Sequence, residues 1–305
     1  MADDTRMEFG RAKVLLKNRL HDRMPKPGDY PTTINGLTLY RRDRTDTVEK
    51  CLYRPLIAMI CQGAKRILVG SDQYCCSDND IMIVGVDVPA STSITQASPE
   101  APCMSMVLDL DKNLLAQLAL ETPHKSLENG SAAGGLLIQP VESGILDAFF
   151  RMAELLDTPE RIPVLAPMIA KEIHYYLLIG PNGSLLRSFY ALGSQNNQIT
   201  HAISWLQQNL TASVLVDELA EQVNMSPSTF HRRFKEITSM SPVQFQKRIR
   251  LHEAQRMMLT DNIDASRASM AVGYENFSQF SREYKRLFGD PPRRDVMRIR
   301  NTAFA

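Results

Sequence analysis

No stretch of this 305-residue chain offers the roughly 20 consecutive apolar residues needed to cross a bilayer. Its first twenty residues, MADDTRMEFGRAKVLLKNRL, carry charge throughout where an export signal would be apolar. A soluble, cytoplasmic protein without a membrane partner is expected. Cysteine is scarce: Cys51, Cys61, Cys75, Cys76 and Cys103 all lie in the first 103 residues, odd in number and without metal-type spacing. That excludes a disulfide framework and leaves free thiols. Histidine is too thinly spread for a metal-dependent barrel enzyme, which gathers two or three around one ion. Only His21 and His124 precede the later helices, and His174 falls in an apolar helical stretch where a packed imidazole is expected. No metal and no cofactor are expected. The glycine-rich run at 129–135 (NGSAAGG) has neither the order of a phosphate loop nor that of a nucleophile elbow and reads as a loop.

Overall charge is nearly absent as well, at +1, but it is unevenly spread. Residues 199–305 carry 15 Lys and Arg against 11 Asp and Glu, whereas residues 1–198 carry 20 against 23. A mildly basic carboxy-terminal part suits an anionic partner whose binding weakens with salt.

What the chain does have is one helix written twice. Residues 230–242 read FHRRFKEITSMSP and residues 280–292 read FSREYKRLFGDPP. Both follow Phe-x-Arg-x-aromatic-Lys and both end in proline at the same offset. At about 100° per residue, Phe230, Phe234 and Ile237 form one stripe, as do Phe280, Tyr284 and Leu287, and these stripes are the expected core. Roughly half a turn away lie Ser228, His231, Arg232 and Lys235 in the first copy, and Ser278, Ser281, Arg282 and Lys285 in the second. Those faces are free to meet a ligand.

Each copy completes a helix-turn-helix. In the first, residues 214–223 (VLVDELAEQV) have helical apolar spacing and Asn224-Met225 makes the turn, since Asn tolerates the left-handed backbone. Ser226 is the expected cap and Pro227 the first helical residue. The second unit turns at Gly273-Tyr274, with Asn276 as cap. Between them, residues 242–259 form an uninterrupted helical stretch that fixes the spacing of the two readers. Together these features resemble the AraC/XylS family of bacterial transcription regulators, notably in LAEQVNMSPSTFHRRFKEITSMSP and VGYENFSQFSREYKRLFGDPP. The resemblance implies base-facing roles for Ser228, His231, Arg232, Ser278, Ser281 and Arg282 and phosphate contacts for Lys235 and Lys285. Ala268 and Ser269 depart from it, standing where the family has a bulkier apolar residue and an alanine, so looser packing of the second unit is expected.

After a helical lead-in to about residue 24, the amino-terminal part alternates short apolar runs with turn formers: 36–40, 56–61, 66–69, 81–88, 103–110 and 135–139. Many short strands suggest a small barrel or sandwich. Two helical stretches follow and provide a natural dimer surface. GLTLYRRD, CLYRPLIAMICQGAKR, ASPEAPCMSMVLDLD and EIHYYLLIGPNG resemble the cupin-like amino-terminal module of one branch of the same family. That resemblance implies effector sensing or dimerisation.

The expected fold is α+β: a cupin-like β-barrel with flanking helices over 1–195, then an all-α double helix-turn-helix domain over 196–305. The expected function is a non-enzymatic, sequence-specific regulator reading two successive major-groove segments of double-stranded DNA, with a homodimeric state and RNA polymerase as a further partner. A small molecule or reactive electrophile acting on the barrel would modulate it, with Met104, Met106 and Cys61 as candidate effector-lining residues. Two alternatives stay open: a small-molecule-binding or catalytic barrel whose helical tail mediates protein contacts, and an architectural DNA binder without sequence preference.

Overall fold

The computed structural model describes residues 2–45, 48–122, 134–212 and 215–303. His124, residues 129–133 of the glycine-rich run and Val214 of the expected helix start lie outside them. The chain forms two compact units, Met1–Glu49 with Tyr53–Asn197, and Gln198–Ala305 with Lys50–Leu52.

In the first unit, α1 (Ala2–Arg23) is followed by nine strands: β1 (Gly28–Pro31), β2 (Leu37–Arg42), β3 (Val48–Tyr53), β4 (Leu56–Gln62), β5 (Ala64–Val69), β6 (Asp72–Ser77), β7 (Asp80–Val84), β8 (Val88–Gln96) and β9 (Cys103–Asp109). Helix α2 (Lys112–Glu121) and β10 (Leu136–Pro140) come next, then α3 (Ser143–Leu155), α4 (Ile162–Ile179) and α5 (Gly183–Tyr190). The strands make a sandwich of a six-stranded sheet, ordered β1-β2-β9-β4-β7-β10, and a four-stranded sheet, ordered β3-β8-β5-β6.

Register shows which way each residue of the larger sheet points. Leu39, Met106, Met59 and Ile81 stand side by side across β2, β9, β4 and β7, and Leu37, Leu108, Ile57 and Ile83 form the next row on the same face. Side chains alternate along a strand, so Arg41 and Met104 share that face. Arg41 donates through Nη1 to the Met24 carbonyl at the end of α1, 2.7 Å away, and Met59 lines a cavity of about 10 Å³ with Leu16 of α1 and Leu146 of α3. The face carrying Met104 and Met106 is therefore the one covered by helices, and Ser105, Val107 and Ala58 face the other way, between the sheets.

His174 ties α4 to this layer. It is 1% exposed. Its Nδ1 lies 2.7 Å from the Ala170 carbonyl, and its Nε2 accepts the Asp111 N–H at 2.9 Å where α2 begins. Burial pushes its pKa below the ordinary value, so the imidazole is neutral and both nitrogens are committed. The stretch Pro159–Ile179, with a mean hydropathy of 1.3 and a third of it buried, is long and apolar enough to cross a membrane by length and composition alone. It is not a run of consecutive apolar residues, since Glu160, Arg161, Lys171, Glu172 and His174 interrupt it.

The second unit is helical: α6 (Gln195–Gln208), α7 (Val216–Gln222), α8 (Pro227–Thr238), α9 (Pro242–Thr260), α10 (Ala265–Ala271), α11 (Phe277–Phe288) and α12 (Pro292–Ala303). Its boundaries are written in local chemistry. Ser226 and Asn276 cap α8 and α11, accepting from the Thr229 and Gln279 N–H groups, and Ser241 with Gln244 forms a reciprocal capping box on α9. The turns use left-handed backbone at Asn224 (φ 56°) and Gly273 (φ 86°). Only glycine fits the second, since a Cβ there would meet Thr211 Cα at 2.8 Å. Arg250 of α9 bonds the Leu210 and Ala212 carbonyls at 2.5 and 2.9 Å and reaches the Gly273 carbonyl at 3.5 Å, so one guanidinium brackets the approach to the first turn and the second turn itself.

His252 on α9 packs edge-on against Phe288, ring centroids 5.2 Å apart. Burial, and then the positive charge of Arg248, lower its pKa from 6.5 to about 4. The unfolded chain thus takes up this proton first. Stability is whole above pH 6.5 and is lost as pH falls toward 4, by about 3 kcal/mol in total. Urea unfolding at pH 7 and pH 4.5 measures this: His252→Gln should flatten the fall in stability, and an equal fall in both chains would exclude His252 as its source.

Candidate nucleic-acid interface

Helices α8 and α11 are each fixed by a buried stripe. Phe230 and Phe234 are fully buried with Ile237 beside them, and Phe280 and Tyr284 are fully buried with Leu287 partly covered. Ring contacts lock the stripes: Phe230 to Phe234 at 5.5 Å and Phe280 to Tyr284 at 5.5 Å between centroids, both tilted, and Phe234 to Phe245 at 5.4 Å, edge-on. The small residues of the second unit are buried. Ala268 is fully buried and Ser269 is 1% exposed, with its hydroxyl returned to the Ser266 carbonyl at 2.7 Å.

With the stripes inward, the polar faces look to solvent. Ser228, His231, Arg232 and Lys235 are exposed on α8, and Ser278, Arg282 and Lys285 on α11, while Ser281 is partly covered. The two arginines differ. Arg232 is held by Glu236 one turn on, at 2.9 Å, and Glu236 also receives Arg233 at 3.1 Å. Among the described residues no carboxylate pairs with Arg282. Next to it, Glu283 is engaged by the Tyr274 hydroxyl at 2.8 Å, by Gln279 at 3.2 Å and by Lys247 at 3.4 Å. Phe277, the first residue of α11, is 44% exposed beside Ser278. It stands three before Phe280, at core spacing, yet it follows the cap Asn276 and opens the helix at the surface.

Two family models match the chain: one described as an AraC-type transcriptional regulator N-terminus over residues 33–185, the other as a helix-turn-helix domain over residues 219–296. The chain belongs to the AraC-type transcriptional regulators. It is not an enzyme. Among curated relatives, the transcriptional activator RhaS of Pectobacterium atrosepticum is 28% identical over 113 residues, covering 37% of this chain and 39% of the activator. The regulator ArgR of Pseudomonas aeruginosa is 28% identical over 104 residues, covering 34% and 32%. This AraC-type chain thus spans well under half the length of the curated relatives it matches. The fold of the whole is similar to that of ToxT from Vibrio cholerae, with a TM-score of 0.55, 11% identity, and coverage of 86% of this chain and 96% of ToxT.

The candidate effector residues of this AraC-type chain fall elsewhere than expected. Met104 and Met106 are fully buried in the layer between sheet and helices, on the face opposite the sandwich interior. The reason is register: Met106 stands beside Met59, which points at α1. Cys61 edges the 10 Å³ cavity in the same layer, too small for a ligand. A surface groove of about 600 Å³ does open beside α1, α3 and α4, over Leu155, Met168 and Ile169. Its arginines are already paired, Arg19 with Asp157 and Glu154, and Arg151 with Asp147 and Glu172. No group of three or more His, Cys, Asp or Glu suited to a metal occurs among the described residues.

Burial also settles which thiols stay inert. It pushes Cys61 and Cys76 up to about 12 and raises Cys103 in the same direction, which removes the thiolate that electrophiles attack. Cys75 is exposed and Cys51 half-buried. Brief iodoacetamide treatment of the native chain, followed by peptide mass spectrometry, should find the label first on Cys75, and on Cys61, Cys76 and Cys103 only after denaturation. Early labelling of those three would contradict their burial.

Proposed function

We propose that this chain is a sequence-specific transcription regulator that places α8 and α11 in two successive major-groove segments of double-stranded DNA. Ser228, His231 and Arg232 face the bases of one segment and Ser278, Ser281 and Arg282 those of the next, while Lys235 and Lys285 meet phosphates. The observation that carries this reading is the doubling: two helices with the same buried stripe and the same solvent-facing Ser, Arg and Lys, both packed against α9. At about 1.5 Å per residue, the 19 residues of α9 span about 28 Å. That length suits readers set one turn of B-DNA apart, about 34 Å. Arginine supports base reading because its fork matches the guanine edge.

The amino-terminal unit is the sensing and dimerising part of this proposal. Val164, Met168, Tyr175 and Ile179 make an exposed apolar stripe along α4, which supports pairing with a second copy. RNA polymerase is the further partner, and the cytoplasm the place of action. ToxT has been solved with an unsaturated fatty acid bound, and the shared fold makes a small apolar acid the first effector to test. The electrophile variant of sensing passes from Cys61 to Cys75, the exposed thiol. An effector at Met104 and Met106 would have to part the helices from the sheet.

Fluorescence anisotropy on duplexes taken from upstream of the chain's own gene tests the reading. Arg232→Ala and Arg282→Ala should each weaken specific binding by roughly 1–3 kcal/mol, and Lys235→Ala or Lys285→Ala should weaken all sequences alike and lower the salt slope by about 1. Equal affinity of wild type and both arginine variants for every duplex would overturn it.

A further inference from the structure

The two recognition helices are offset by fifty positions, and so are the partners of their buried aromatics. Phe234 answers to Tyr284, and Phe245 to Asp295. In the first copy the pair is apolar: Phe234 of α8 meets Phe245 of α9 edge-on, interplanar angle 87°. In the second copy the Tyr284 hydroxyl of α11 donates to Asp295 Oδ2 of α12 at 2.8 Å. Asp295 is fully buried. Gln255 Nε2 donates to the same oxygen from α9 at 2.7 Å, and Arg298 Nη2 reaches Oδ1 at 2.5 Å. One juncture of the duplicated unit is thus a ring contact in one copy and a carboxylate hub in the other.

Filling space does not require an aspartate there, since a phenyl ring fills the same place in the first copy. A buried carboxylate is costly unless it is paired and fully hydrogen-bonded, and this one is served by three donors from three helices. Hydrogen bonds weaken steeply with angle, whereas ring packing tolerates rotation. The hub specifies direction. The second unit also has less apolar bulk behind its reader: Ala268 and Ser269 of α10, five and four residues before the turn at Gly273, stand where the first unit has Leu219 and Ala220 of α7, five and four before Asn224.

We propose that Asp295 is the positioning residue of the second reader: by anchoring Tyr284 and Gln255 it sets the rotation of α11 against α9, and with it the direction in which Ser278, Ser281 and Arg282 face. This rests on the DNA-reading function proposed above.

The test uses the full chain and a random-sequence duplex library. Selection should return one sequence with two halves, the α11 half being the one whose alteration no longer matters in Arg282→Ala. Selection that returns no common sequence removes the DNA-reading function and this inference with it. With the selected duplex, Tyr284→Phe keeps the ring and removes only the hydroxyl. Altering the α11 half should then cost about three- to tenfold less affinity than in wild type, the range of one hydrogen bond. The cost of altering the α8 half should be unchanged. Asp295→Asn, which keeps an acceptor oxygen, should recover most of the lost discrimination that Asp295→Ala does not. Unchanged costs at both halves in Tyr284→Phe, or equal loss at both, would overturn the positioning role while leaving the DNA-reading function standing.

Discussion

The orientation of α8 and of α11 is decided by what each hides. Removing Phe230 and Phe234 from water, or Phe280 and Tyr284, stabilises by roughly 1.5–3 kcal/mol per side chain. Rotating either helix by a single residue, about 100°, would expose that stripe and drive arginine or lysine toward the core, which an unpaired charge strongly resists. The solvent face is therefore a consequence of the apolar face. His231 and Arg282 lie outside the buried stripes, and Arg232 adds only its one-turn pair with Glu236 to the hold on its helix.

The second constraint is α9, against which both readers rest. Phe245 serves the first copy through Phe234, while Leu251, Ala254 and Met258 join the core around Phe280 and Tyr284. Two different faces of one continuous helix thus seat α8 and α11, and the capping box at Ser241 and Gln244 fixes where that helix begins. A helix with buried side chains on opposite flanks has little freedom to roll.

The helical part was legible in the sequence because its signals are local. Phe-x-Arg-x-aromatic-Lys, Ser226-Pro227, Ser241-Pro242 and the left-handed Asn224 are all decided within a few residues of chain. The sandwich was legible only in outline. Strands such as 56–61 and 103–110 are apolar enough to be seen, but β6 (DQYCCS) and β8 (VPASTSITQ) are half polar, and their pairing is settled by partners far along the chain. The direction of Met104 and Met106 depended on which side of the sheet the helices cover, a tertiary fact that alternation alone cannot supply. The carboxylate hub was equally hidden. Asp295 reads as a surface residue in the first turn of a helix until Tyr284 and Gln255 are brought to it from 11 and 40 positions away.

Arg250 limits how the helical unit can be rearranged. Its single side chain is shared between the carbonyls of Leu210 and Ala212 on one side and that of Gly273 on the other. The second turn is therefore tied, through α9, to the connection ahead of α7, and a foreign segment put in the place of either has to offer a carbonyl at the same position to keep this guanidinium satisfied.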